Sequence, residues 1–198
     1  MKQFLSLCVF AISFALVFST GCEECSKLVK TSLQPGNCPE PNRLPQPFDI
    51  KQYLGTWYQI KSTKPYFEDG QRCIKADYKF EATIGIFVTN STGLDSVNNE
   101  VERVQFAKSY DQDNVFTAKA FLGSGYYLTT QYWVVDTDYN NYALVVSCNN
   151  LLGLDNSRDV WILSRKPTLD DNIVANLVAE LDTVGLHGIV LGDIIQNC

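Results

Sequence analysis

The sequence predicts an all-β domain: eight short antiparallel strands, forming either a sandwich or an up-and-down barrel, with one α-helix packed outside near the C-terminus. Three observations carry this. Eight strand-like runs follow one another, separated by turn signals such as "EDG", "STG", "DQDN", "LGSG" and "DYNN". One run alternates cleanly, with Ile74, Ala76, Tyr78 and Phe80 set against Lys75, Asp77 and Lys79. That is the period of a strand with one wet face and one lining an interior. Finally, only one later segment repeats its apolar residues at helical spacing.

The first 21 residues stand apart from this pattern. Lys2 precedes the apolar run "FLSLCVFAISFALVF" (Phe4 to Phe18), and "STG" follows. A short basic start, an apolar core and small residues at the exit read as a secretory signal over residues 1–21. The run is shorter than the ~20 residues a membrane span needs. "STGC" faintly resembles a bacterial lipoprotein cleavage box, with Ser19 where that box has a leucine-like residue. The cysteine usage and a glycosylation sequon fit a eukaryotic secretory route better. The whole chain carries a net charge of −6, spread along its length. Such a surface repels phosphate backbones, so no nucleic-acid partner is expected.

Residues 22–37 show little periodicity and read as a flexible tail, leaving 38–198 as the folded domain. "CPEPNRLPQP" (Cys38 to Pro47) has four prolines in ten residues, which forbids helix and ladder alike, so it should run extended over a surface. The strands are then expected over 56–63, 72–80, 84–89, 100–109, 115–122, 131–137, 142–148 and 160–165. The helix is "TLDDNIVANLVAELDTV", with Thr168 as its start signal and Asp171 three positions on. Leu169, Ile173, Leu177, Leu181 and Val184 form its apolar stripe, widened by Val174 and Val178.

The first strand opens with "GTW". Gly55 is poor strand material and marks a sharp bend or a close approach, while Trp57 must be covered by something. This motif, "TDY" (Thr137, Asp138, Tyr139) and "WILSRKP" with Arg165 stand in order along the chain. Together with "FEDGQRCIKADY" and "DTDYNNYALVVSC", they resemble the lipocalin family, in its branch of apolipoprotein D and the insect bilin-binding proteins. The resemblance covers about residues 36 to 198 and selects the barrel over the sandwich. It implies that Trp57 plugs the closed end of the barrel with Arg165 stacked across it, which makes Gly55, Trp57, Thr137, Asp138, Tyr139 and Arg165 structural. It also implies the disulfides Cys38–Cys148 and Cys73–Cys198. Cys22 and Cys25 have no counterpart there; they either pair with each other or link to another chain, which leaves the oligomeric state open.

An eight-stranded barrel is wide enough for one small ligand. The resemblance places Tyr78, Trp161 and Tyr132 on the pocket wall, with Phe87 and Phe116 as further interior candidates. Apolar walls with a few hydroxyls suit a fatty acid, sterol, retinoid, carotenoid or bilin. No cofactor is expected beyond such a lipophilic ligand or pigment. "CEEC" is one isolated pair and His187 the only histidine, so no metal site is expected either. "NNLLGLDN" sets Leu151, Leu152 and Leu154 in a turn, where they would touch a membrane or lipoprotein during ligand transfer. "LGSGYYL" similarly exposes Tyr126 and Tyr127. Asn90 in "NST" is the glycosylation sequon.

An enzyme would need a nucleophile and a base. The single histidine lies beyond the helix, the framework cysteines are expected to be oxidised, and paired acids such as Glu68–Asp69 fall in turns. The expected function is therefore a secreted, non-enzymatic carrier of a small hydrophobic molecule. The alternative is a secreted interaction or inhibitor protein that uses the barrel as a scaffold.

Overall fold

The computed structural model describes residues 33–109, 114–123, 126–151 and 154–198. The signal segment, Cys22, Cys25 and Leu152 lie outside the described residues, as do the side chains of Tyr126, Tyr127 and Leu151. The barrel strands are β2 (Gly55–Ser62), β3 (Arg72–Glu81), β4 (Ile86–Leu94), β5 (Glu100–Ser109), β6 (Val115–Gly123), β7 (Tyr126–Thr137), β8 (Tyr142–Leu151) and β9 (Asp155–Ser164). Each pairs antiparallel with the next, and β9 pairs back onto β2, with Tyr58 opposite Ser164 and Ser62 opposite Trp161. Eight strands thus close on themselves in sequence order, which removes most of the open sheet edge.

Two short strands extend the sheet. β1 (Leu33–Pro35) pairs with Asp155–Ser157 of β9, beyond the residues of β9 that pair with β2, and β10 (Gly192–Asp193) pairs with Lys61 and Ser62 on the opposite edge of β2, where β3 no longer pairs with it. Residues 33–35 were expected in a flexible tail; they belong to the sheet instead. Asn156, fully buried, fixes them by donating from Nδ2 to the carbonyls of Gln34 and Gly36. Strands β7 and β9 begin about five residues earlier than their apolar patterns suggest. In β9 the added residues are "DNSRD", polar residues that carry no apolar alternation to announce a strand.

Helix α1 (Ile50–Tyr53) crosses under one end and α2 (Asp171–Thr183) lies on the outer face of β7–β9. Val174, Leu177 and Leu181 of α2 bury against Trp133, Leu144, Val146, Val160 and Ile162. Strand β8 is covered by the helix outside and by the barrel core inside, so "YALVVSC" reads as a continuous apolar run. The helix N-cap is Asp170, whose side chain accepts from the Asn172 backbone N–H at 2.8 Å, and not Thr168. Thr168 is still in the approach loop, its carbonyl accepting from Ser164 Oγ. Val178, expected in the stripe, faces solvent at 38% exposure.

Both framework disulfides form: Cys38–Cys148, spanning 110 residues, and Cys73–Cys198, spanning 125. The first clamps the proline-rich arm to the barrel wall. The arm is also tied by Asn42 Nδ2, which donates to the Val135 carbonyl, and by Asn114 Nδ2, which donates to the Asn42 carbonyl. The second holds the C-terminal tail where β2 and β3 separate. There Gln196 Nε2 donates to the carbonyls of both Gln59 and Ile74, at 2.7 Å each.

Candidate ligand-binding site

The site is built from its floor upward. Gly55 has φ +93°, a left-handed conformation that costs other residues and turns the chain from α1 into β2. The turn delivers Trp57 into the barrel base, fully buried, its indole N–H donating to the Tyr53 carbonyl at 2.9 Å. Arg165, arriving at the end of β9, lays its guanidinium 3.7 Å from the centroid of the Trp57 ring. The same guanidinium gathers four backbone carbonyls. Nε donates to Tyr139, Nη1 to Thr56, and Nη2 to Gln52 and Tyr53. Three chain segments are thereby joined at one point through their backbone carbonyls. The "TDY" turn supplies one of them. Asp138 Oδ1 accepts from the N–H groups of Asn140, Asn141 and Tyr142, and Thr137 Oγ1 accepts from Tyr139 N while donating to the Tyr142 carbonyl. Tyr139 OH in turn accepts from Asp49 N at the start of α1.

Above the floor stands an aromatic cluster. Phe87 and Phe116 stack with centroids 5.0 Å apart and an interplanar angle of 15°. Tyr53 packs on Tyr78 at 5.3 Å and Tyr78 on Phe87 at 5.2 Å. The structure therefore brings Tyr78, Phe87, Phe116 and Tyr132 into one group, with Trp161 partly buried against the same core. Phe87 and Phe116 are each 1% exposed. The Tyr78 and Tyr132 hydroxyls meet across the interior at 2.8 Å. Burial pushes the Tyr78 hydroxyl up to about 12 and that of Tyr132 well above its ordinary value, so both stay neutral hydrogen-bonding groups.

Nearer the mouth lies a group that sequence reasoning missed. The loop after β2 folds a 3-10 turn (Tyr66–Glu68) inward, and Glu68, expected in a solvated turn, is 8% exposed. Its Oε1 accepts from Gln59 Nε2 at 3.0 Å and its Oε2 from Trp161 Nε1 at 3.1 Å. Arg103 of β5 holds the turn, its guanidinium 4.1 Å from the Phe67 ring centroid and its Nη2 donating to the Phe67 carbonyl. Asp159, two residues before Trp161 on the same face of β9, completes the set. Burial raises the Glu68 carboxyl against these donors. Burial and then the Glu68 charge raise Asp159 to about 7. The available signal was the alternation itself, which puts the polar residues Gln59, Arg103 and Asp159 on inward positions of their strands.

Both shifts carry the same sign for stability. The unfolded Asp159 carboxyl ionises near 3.8, whereas the folded one keeps its proton to about 7. The native state then binds more protons across that window. The stabilisation from protonated Asp159 is complete below pH ~4 and is lost as pH rises through ~7, and the raised Glu68 carboxyl acts in the same direction. The urea midpoint is expected to fall between pH 5 and pH 8, and to fall less in Asp159→Asn. A midpoint that is flat or rises over this range would contradict the buried placement of these carboxyls.

A closed eight-stranded antiparallel barrel, with Trp57 and Arg165 packed across one end and an aromatic cluster inside, defines the class of up-and-down β-barrels. The chain belongs to the lipocalin / cytosolic fatty-acid binding protein family, whose model matches residues 54–196. It is 34% identical to apolipoprotein D of Bos taurus over 143 residues, 72% of this chain and 73% of that protein. Insecticyanin-B of Manduca sexta is 28% identical over 143 residues, covering 70% and 68% of the two chains. Among solved structures, lobster apocrustacyanin A1 superposes with a TM-score of 0.71 at 22% identity, over 86% of this chain and 94% of that one, a likeness of fold.

Proposed function

We propose that this protein is a secreted carrier that holds one small hydrophobic molecule inside its barrel and performs no catalysis on it. The observation that carries the reading is the contrast between the two ends. The floor is closed by Trp57 and Arg165, while Tyr78, Tyr132 and Trp161 stand inside the barrel above it, with the Tyr78 and Tyr132 hydroxyls hydrogen-bonded to each other. Membership of the family supports it, and fatty acids, sterols, retinoids, carotenoids and bilins remain the ligand classes such walls suit. The secretory signal expected over residues 1–21 and the two disulfides support an extracellular setting. His187, the only histidine, sits exposed after α2 with its Nδ1 3.2 Å from Asp182 and takes no part in the interior.

Three further features belong to the same reading. Leu154, 74% exposed beside the mouth, offers an apolar contact to a membrane or lipoprotein during transfer. Asn90 lies in the middle of β4 on its outer face and not at a strand end, with Nδ2 donating to Glu102, a bond that a glycan would replace. Cys22 and Cys25 would set the oligomeric state, through a local pair or a link to a second chain.

The test is an absorbance spectrum and a solvent extract of protein purified from its native source. A visible band or a recovered lipid is the expected result. In addition, Trp161→Ala should weaken that ligand about tenfold, roughly 1.4 kcal/mol, in a protein that remains folded. Unchanged affinity would move the pocket away from β9. The Phe87–Phe116 stack fills part of the interior with the protein's own side chains and favours a second reading, a secreted interaction or inhibitor protein. An empty extract, with no quenching of tryptophan fluorescence by sterols, retinoids or fatty acids, would select it.

A further inference from the structure

The interior near the mouth is more polar than burial of a plain hydrocarbon requires. Gln59 from β2, Glu68 from the 3-10 turn and Asp159 from β9 are all costly groups to take from water. Gln59 is 4% exposed, its Nε2 is committed to Glu68, and its Oε1 is buried with no partner. Turning the amide over would only exchange the orphan, because the Glu68 carboxylate accepts and the amide carbonyl cannot donate to it. An unpartnered acceptor is thus held beside the Glu68 carboxyl, with Asp159 further along β9 on the far side of Trp161. Arg103 offsets one of their charges, but its guanidinium is engaged with the ring and carbonyl of Phe67. The Gln59 amide thus leaves an acceptor to spare while its donor is spent on Glu68.

We propose that Gln59, Glu68 and Asp159 form a head-group subsite for an amphiphile whose head donates hydrogen bonds, a protonated amine above all, and that this subsite rejects a carboxylate head. The inference rests on the carrier reading and narrows its ligand class. An ammonium head carries three donors, one of which satisfies Gln59 Oε1, and its charge offsets those of the Glu68 and Asp159 carboxylates. An alcohol satisfies one acceptor. A carboxylate adds a third negative charge without satisfying any. The tail would run past Trp161, whose indole is already fixed by Glu68, toward Tyr78 and Tyr132.

The test compares three probes with one tail: decylamine, decanol and decanoate, titrated at pH 8 against the full chain by tryptophan fluorescence. Decylamine should bind tightest and decanoate weakest, at least about tenfold apart. In Glu68→Gln and Asp159→Asn, checked for native near-UV circular dichroism, the preference for decylamine over decanol should disappear while decanol affinity changes less than about twofold. Decanoate binding as tightly as decylamine to the unmodified protein would overturn the inference and leave the carrier reading standing. So would an unchanged ranking in both folded variants. Binding of none of the three would overturn the carrier reading and the subsite with it.

Discussion

Trp57→Ala should lower the stability of the barrel more than any substitution in the pocket wall. The ring is fully buried, and removing it forfeits its transfer free energy and leaves a cavity, together about 3–5 kcal/mol. It also removes the face on which Arg165 stacks, a contact worth about 0.5–2 kcal/mol. Against a typical domain stability of ~5–15 kcal/mol, that is a large share. Arg165→Lys should cost less, yet more than a charge-conserving change suggests, because one ammonium cannot reach the four carbonyls that the planar fork serves. Urea unfolding of the two single variants and their double mutant checks the argument. A coupling energy of about 0.5–3 kcal/mol between the positions is expected for residues in contact, and strict additivity would mean that the stack contributes nothing.

Replacing both Cys38 and Cys148 by serine is the second large effect. The bond closes a span of 110 residues, for which chain-entropy estimates give roughly 4–5 kcal/mol. At about 2–4 °C per kcal/mol for a domain of this size, the melting temperature should drop by roughly 10–20 °C. Cys148 is 2% exposed in the layer under α2, so a serine there also buries a hydroxyl. The loss should be accompanied by proteolytic cleavage within residues 38–47, since the arm would keep only side-chain ties such as those of Asn42 and Asn114. A variant that melts within a few degrees of the parent would show that those ties, and not the disulfide, secure the arm.

The barrel was legible because its strands are amphipathic and its turns are marked. The alternation of β3 put Tyr78 inside the barrel, the face shared with Arg165 put Trp161 there, and the resemblance implied the disulfide frame. Other features were hidden for identifiable reasons. β1 is three residues long and its partner lies more than 120 residues away, so no local pattern announces it. Thr168 looked like a helix cap because it precedes Asp171 by three. Asp170 takes the role because its carboxylate accepts from the Asn172 N–H and its carbonyl accepts the first helical bond, from Val174 N–H. Glu68 sits in "YFEDG", a string that signals a turn and says nothing of which way the turn folds. Its burial is decided by Gln59, Trp161 and Arg103, which come from three different strands.

The β2–β9 seam has a consequence for how the chain reaches this state. Tyr58 and Ser164 meet there although more than 100 residues separate them. Pairing so distant in sequence raises contact order and slows folding, since loop-closure entropy is lost before the contacts form. During synthesis β2 is made early and must wait, one edge unpaired, until β9 has emerged. For that interval the nascent chain is an open sheet with two sticky edges, the species most exposed to aggregation. Barrel closure is therefore expected to be the late, rate-limiting event.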